Sequence, residues 1–273
     1  MINRFFDSPK GTFSALDDVT LLHKVPSIFA SEHSFTRDEK HYKMFKTINV
    51  INALRDEGYF PVFAKANGTR SGVTNVDTHK HMVRFTHRDF LETSLSVNDE
   101  RPELILTNSH DGSSSFHIMA GLFRKVCSNG LMVGSSVSDA RVRHIGHKFD
   151  EVISSSLNIA KLLGEVMDNV HDMKGIILNE KQRKDLAAEM ALSRFDEKNI
   201  KTPENLLTLR RYEDNWTPSL YNTFNVIQEN MIRGGQVVND RVMRPINNID
   251  AEISINRNMW DVAYNKMRDL QVV

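Results

Sequence analysis

Apolar positions along the chain change their period once, near residue 150. Before that point they come in short runs separated by turn-forming residues. Tyr42 to Arg55 is predicted to be a helix, with Phe45, Ile48, Val50, Ile51 and Leu54 as its apolar stripe and Asp56, Glu57 and Gly58 at its end. Phe60 to Ala64 reads as a first strand, closed by Asn67 and Gly68. His81 to Phe85 alternates as a strand should. Glu103 to Asn108 and Ser115 to Phe123 form a third and a fourth. Gly130 to Gly134 marks a turn or short strand, and Arg141 to His147 a fifth strand. The first 40 residues are mixed and read as an irregular arm with a short strand or helix.

Beyond residue 150 the apolar spacing is helical, through Val152, Ile153, Leu157, Ala160, Leu163, Val166, Met167 and Val170. Asn179 is a good N-cap for a second helix. Thr202-Pro203 and Thr217-Pro218 read as cap-then-proline helix starts, and Gly234-Gly235 as a helix stop. A last helix is expected over Asn256 to Leu270. The pattern predicts an α+β protein, with a helix packed on an antiparallel sheet in the N-terminal half and a helical C-terminal half. The divisions it suggests are an arm (1–40), a sheet with its helix (41–148) and a helical region (149–273) packed on the sheet, with Trp260 and the Phe224 helix face against the sheet or the long helix.

Charge narrows the picture only slightly. Lys+Arg and Asp+Glu number 35 each among 273 residues, so no global field draws the chain to a polyanion. Residues 1–148 hold 19 basic and 16 acidic side chains, and 10 of the 11 histidines. The one cysteine, Cys127, excludes an intramolecular disulfide and reads as a small apolar residue. No apolar signal core opens the chain, and no apolar run is long enough to span a bilayer. These features point to a reducing cytosol and away from membranes.

Several blocks then carry a resemblance. One is Leu104 to Phe116, containing Asn108, His110, Asp111 and Gly112, continued by Gly121 to Leu131 with Arg124, Cys127 and Asn129. Others are Val142 to His147, Tyr221 to Gly235, and Asn256 to Trp260. In this order they resemble the phage/plasmid-like protein family of unknown function. The resemblance implies a setting in phages, prophages and plasmids, near genes of DNA metabolism or accessory genes, and with it a host cytoplasm. It brings no catalytic residue and no cofactor.

Read as chemistry, Asn108, Ser109, His110, Asp111, Gly112 and Ser113 form a polar turn between strands. They suit either a structural hairpin or a binding loop whose amides and hydroxyls hold an anion. His110, Asp111, His144 and His147 have metal-ligand side chains but match no metal motif, so no metal is assigned. Arg124, Lys125, Arg141, Arg143 and Lys148 are the main basic concentration, a stripe able to track phosphates if the segment folds back, with Phe116 and Phe123 as stacking faces. The alternative is a charged guard on a sheet edge. Phosphate-loop and dinucleotide patterns are absent.

Three functions fit these features. The first is a DNA-handling protein that binds or anneals single strands in recombination or replication. The order helix, sheet, long helix is broadly similar to that of single-strand annealing proteins. The second is an inhibitor that binds a host defence protein. The third is a metal-assisted hydrolase at the His-Asp group. A non-enzymatic role is favoured, and self-association is left open.

Overall fold

A computed structural model describes residues 14–34, 44, 46–67, 77–91, 100–124, 130–132, 139–142, 149–210, 217–238 and 240–271, with the backbone alone for 130–132, 139–142 and 149. The protein is α+β, as the change of period predicts. It divides into two compact units, Met1–Leu131 with Ser138–Leu163, and Met132–Val137 with Gly164–Val273.

The first unit begins with α1 (Asp18–Lys24), capped by the Asp17 carboxylate on the Thr20 amide at 2.8 Å. A 3-10 turn, Pro26–Phe29, and α2 (Thr47–Asp56) follow. The arm is thus partly helical. α2 begins later than its apolar stripe suggests, because Met44 and Lys46 are not helical. The Thr47 hydroxyl is already committed to two strands, and this fixes where the helix starts.

The sheet contains β1 (Tyr59–Ala66), β2 (His81–His87), β3 (Glu100–Asn108), β4 (Phe116–Arg124), β5 (Gly130–Met132) and β6 (Asp139–Val142). Its order is β1-β2-β3-β4, with β5 and β6 both beside β4. The pairs β1–β2, β2–β3, β3–β4 and β4–β6 are antiparallel. Pro102 lies in the inner strand β3, where a missing N–H should break a ladder. The Pro102 carbonyl accepts from the Thr86 hydroxyl on the β2 side, and the β2–β3 ladder has already ended at Leu104. The absent donor therefore falls beyond the end of the β2–β3 backbone ladder, where no ladder bond is lost.

Alternation gives this sheet two unlike faces. Val83, Phe85, Leu104, Leu106, Ile118 and Leu122 share one face with His81 and Asn108. All are buried, together with Leu21, Ile28, Val50, Ile51 and Leu54 of the helical elements. The other face carries Arg84, Thr86, Arg101, Glu103, Thr107 and His117 among Met82, Ile105, Met119 and Phe123, and these are buried as well.

In the second unit α3 (Phe149–Gly175) arrives from the first. Its buried residues Val152, Ser156, Ile159, Leu163, Val166, Val170 and Met173 step by four and three alternately, as along a helix-packing seam. Then come α4 (Glu180–Ala191), α5 (Leu220–Arg233), a hairpin of β7 (Val237–Val238) and β8 (Arg241–Val242), and α6 (Ile249–Gln271). Asn179 and Gln182 form a full capping box on α4.

Three helix starts differ from the sequence expectation. Thr202-Pro203 opens only a 3-10 turn, Pro203–Leu207. Ser219, two residues after Thr217, caps α5 through the Asn222 amide at 3.1 Å. α6 starts at Ile249, capped by Asn248 on the Ala251 amide. Phe224 meets Trp260 edge to face at 6.1 Å, and Gln228 donates to Asn256 at 2.8 Å, joining α5 to α6. Among the described residues no helix is long and apolar enough to cross a membrane.

Candidate functional site

The loop from Asn108 to Ser113 is divided between interior and surface. Asn108, Ser109 and His110 are fully buried, whereas Gly112 and Ser113 are exposed. Gly112 takes φ +74, which glycine adopts without strain. Asp111 accepts from the Ser113 amide at 2.9 Å, and the Ser109 hydroxyl accepts from the Ser114 amide at 2.9 Å. Burial raises the Asp111 carboxyl, but the bonds from Ser113 and Ser109 outweigh it and hold the group below its ordinary range.

The buried half of the loop ties α2 to the sheet. Asn108 Nδ2 donates to Thr47 Oγ1 at 3.0 Å. Thr47 Oγ1 also lies 2.9 Å from His81 Nε2 and 3.3 Å from His110 Nε2. His81 Nδ1 faces the His79 carbonyl at 3.1 Å and Ser27 Oγ at 2.9 Å. A carbonyl only accepts, so the network assigns the proton to Nδ1 and leaves Nε2 to accept from Thr47. A second proton on His81 would oppose the Thr47 hydroxyl inside a buried site. Burial, then the neighbouring His110, push the His81 pKa from 6.5 down to about 3.

The sign of the linkage follows from that shift. Above about pH 6.5 both folded and unfolded states hold His81 neutral, and its full contribution is present. As pH falls toward 3 the unfolded chain binds a proton that the folded one refuses. Stability is expected to fall by up to about 1.4 kcal/mol per pH unit in that window from this group. Urea titrations at a series of pH values should show a shallower decline in His81→Gln than in the native sequence. Equal declines would rule out His81 as the source.

The basic stripe is not gathered in one place by the described residues. β4 and β6 are adjacent, as the stripe requires, and Arg141 stands at the register position opposite His117. Arg124 is buried, stands opposite Glu100, and has the opposite parity to His117 at the far end of β4. Phe116 and Phe123 likewise fall on opposite faces. Lys125, Cys127, Arg143, His144, His147 and Lys148 lie outside the described residues. Among the described residues no three His, Cys, Asp or Glu side chains gather as a metal-holding group.

The charged face of the sheet does gather its residues. Glu103 accepts from Arg84 Nε at 2.5 Å and from Arg101 Nη2 at 2.8 Å. The Arg84 guanidinium lies over the Phe63 ring at 5.0 Å and the Phe123 ring at 4.9 Å. Arg101 lies over Phe123 at 5.0 Å. Burial pulls the Arg101 pKa down, while Glu103 works against that. A register shift in β1 between Pro61 and Phe63 keeps Phe60, opposite Thr86, on the same face as Phe63, opposite Arg84. Phe60, Phe63 and Lys65 are half-buried, so this edge reaches solvent. Sequence reasoning missed this cluster, although charge at alternate positions, Arg84 in β2 and Arg101 with Glu103 in β3, was a visible sign of a second face.

Comparison with known proteins adds a family. The profile of a domain of unknown function, DUF932, matches residues 36–260. The chain belongs to the DUF932 family. It is 33% identical over 257 residues to the UPF0380 proteins YafZ and YfjQ of Escherichia coli strain K12, covering 92% of this chain and 91% of each relative. No solved structure matches. The resemblance read from the motif blocks to a family without assigned activity is thereby established. All of these blocks fall inside the matched span.

Proposed function

We propose that this DUF932 chain is a phage- or plasmid-associated, DNA-handling protein of the host cytoplasm that binds single strands at the half-exposed β1 edge of the charged sheet face. The observation that supports this is the junction of cations and aromatic rings on one sheet face, ending at a half-exposed edge. Single-stranded nucleic acid offers phosphates and stackable bases together, and proteins bind it with cations interleaved with aromatic rings. Phe60 and Phe63 supply ring faces, and Lys65 a charge for phosphate. Arg84 is a positioning residue that holds the Phe63 ring from within. A sheet face serving packing alone would be filled more cheaply with apolar side chains, since buried ion clusters return little net stability. Arg141, from the basic stripe, stands on β6 at the register position opposite His117, a residue of this face.

Anisotropy titration of a labelled dT oligonucleotide at increasing salt tests the reading. Binding is expected at low salt, with log K falling linearly in log salt. Lys65→Ala should flatten that slope by about one unit. Phe63→Ala should cost about 1–3 kcal/mol of binding with little change in slope. No binding at low salt would end the single-strand reading and leave inhibition of a host defence protein as the better account.

A further inference from the structure

We infer that the hairpin following α5 is a second nucleic-acid contact, one that seats on duplex DNA. In this hairpin Val237 pairs with Val242 and Val238 with Arg241. Val238 and Met243 are buried and root it. Val237 and Val242, directly opposite one another, are 44% and 64% exposed. The turn passes through Asp240 at φ +60. The pair is too small to mark an interaction surface by itself, and its meaning comes from the charges beside it.

Charge says what kind of partner fits. Arg241 and Arg244 are exposed, and among the described residues neither is held in an ion pair. Arg194, at the base, donates to the carbonyls of Met231 and Arg244, which are neutral acceptors, so its charge persists. The Asp240 carboxylate is taken by Lys201 at 2.5 Å, and Glu229 by Arg233 at 3.2 Å. The surplus is therefore cationic and made of arginine, whose planar fork matches phosphate oxygens. Two small valines give too little apolar area to anchor in lipid but suit contact with a base edge or sugar. Two strands about 4.8 Å apart form a ribbon that the major groove, about 12 Å wide, admits.

This inference rests on the nucleic-acid reading above, and its test separates the two. The full chain and the Arg241→Ala/Arg244→Ala variant are titrated against a blunt duplex, a dT oligonucleotide, and vesicles of phosphatidylserine and phosphatidylcholine. The double variant is expected to flatten the duplex salt slope by about two units and weaken duplex binding at least tenfold at low salt. Its dT binding should be unchanged, and its melting temperature should be that of the native chain, since both side chains are exposed. Binding of dT but not duplex by the native chain would overturn the hairpin proposal and leave the sheet-face reading standing. Duplex binding that the variant abolishes, without dT binding, would do the reverse. Equal duplex slopes in variant and native chains, an equal loss of dT affinity in the variant, or vesicle binding in place of duplex binding would each overturn it.

Discussion

Replacing Gly234 by alanine is expected to cost about 3–5 kcal/mol and lower the melting transition by roughly 10 °C or more. Gly234 caps α5 at φ +67, ψ −156, a region essentially reserved for glycine. A β-carbon there would lie 2.5 Å from the Met243 carbonyl oxygen and 2.7 Å from the Arg244 carbonyl carbon. Both obstacles are backbone and cannot rotate aside. They are also fastened: the Gly235 amide donates to Met243 O at 2.8 Å, and Arg194 donates to Arg244 O at 2.6 Å. Gly235 is the contrast. It also has positive φ, but the nearest atom to its β-carbon would be Arg210 Nη2 at 3.8 Å, a flexible group at ordinary distance. Gly235→Ala should cost only about 1–2 kcal/mol, for the left-handed backbone. Circular-dichroism melts of the two variants decide it. Equal, small losses would mean that α5 and the hairpin separate more easily than their bonding implies.

The pair of glycines shows what a sequence makes legible. As a helix stop, Gly234-Gly235 could be read directly, because that reading depends only on local backbone freedom. That one glycine is indispensable and the other tolerant depends on Met243 and Arg244, which approach through the hairpin. The same division runs through the fold. Strand cores, the Asn179 cap and the change from sheet to helix were legible because each is written in a few adjacent residues. Start points were less so. Ser219 takes the cap that Thr217-Pro218 seemed to offer, while the Thr217 carbonyl accepts from Asn222. Thr47 delimits α2 through a bond to His81, 34 residues away.

The candidate site was harder to read, since sheet faces are set by register. Arg124 and Arg141 look like one basic stripe in sequence. Register puts Arg124 opposite Glu100 and Arg141 opposite His117, at opposite ends of β4. Phe60 and Phe63, three apart, belong on opposite faces of a regular strand, and only the register shift at Val62 brings them together. His110 looks like a surface turn residue and is fully buried, because Thr47, His81 and the Thr78 carbonyl receive it.

Glu103→Gln is expected to be the most damaging single change in the first unit, at about 3–5 kcal/mol. Glu103 is the shared anion of two buried guanidinium groups. Glutamine keeps its shape and one acceptor oxygen but leaves Arg84 and Arg101 beside each other without their counter-charge. Removing one member of a buried ion cluster costs far more than the cluster contributes, because the remaining charges stay desolvated. Removing the whole cluster should cost much less. The triple change Arg84→Met, Arg101→Met, Glu103→Leu is therefore expected to recover most of the stability lost in Glu103→Gln, since it replaces ions by apolar groups of similar volume. Urea denaturation of both proteins measures this. The same triple variant also bears on function. If the cluster exists to present Phe63 and a positive field to a single strand, the variant will be stable yet weak in dT binding with a flatter salt slope. A triple variant as stable as the native chain that binds dT unchanged would show that the charged cluster has no part in binding. If the triple variant is no more stable than Glu103→Gln, the charges are needed for the sheet itself.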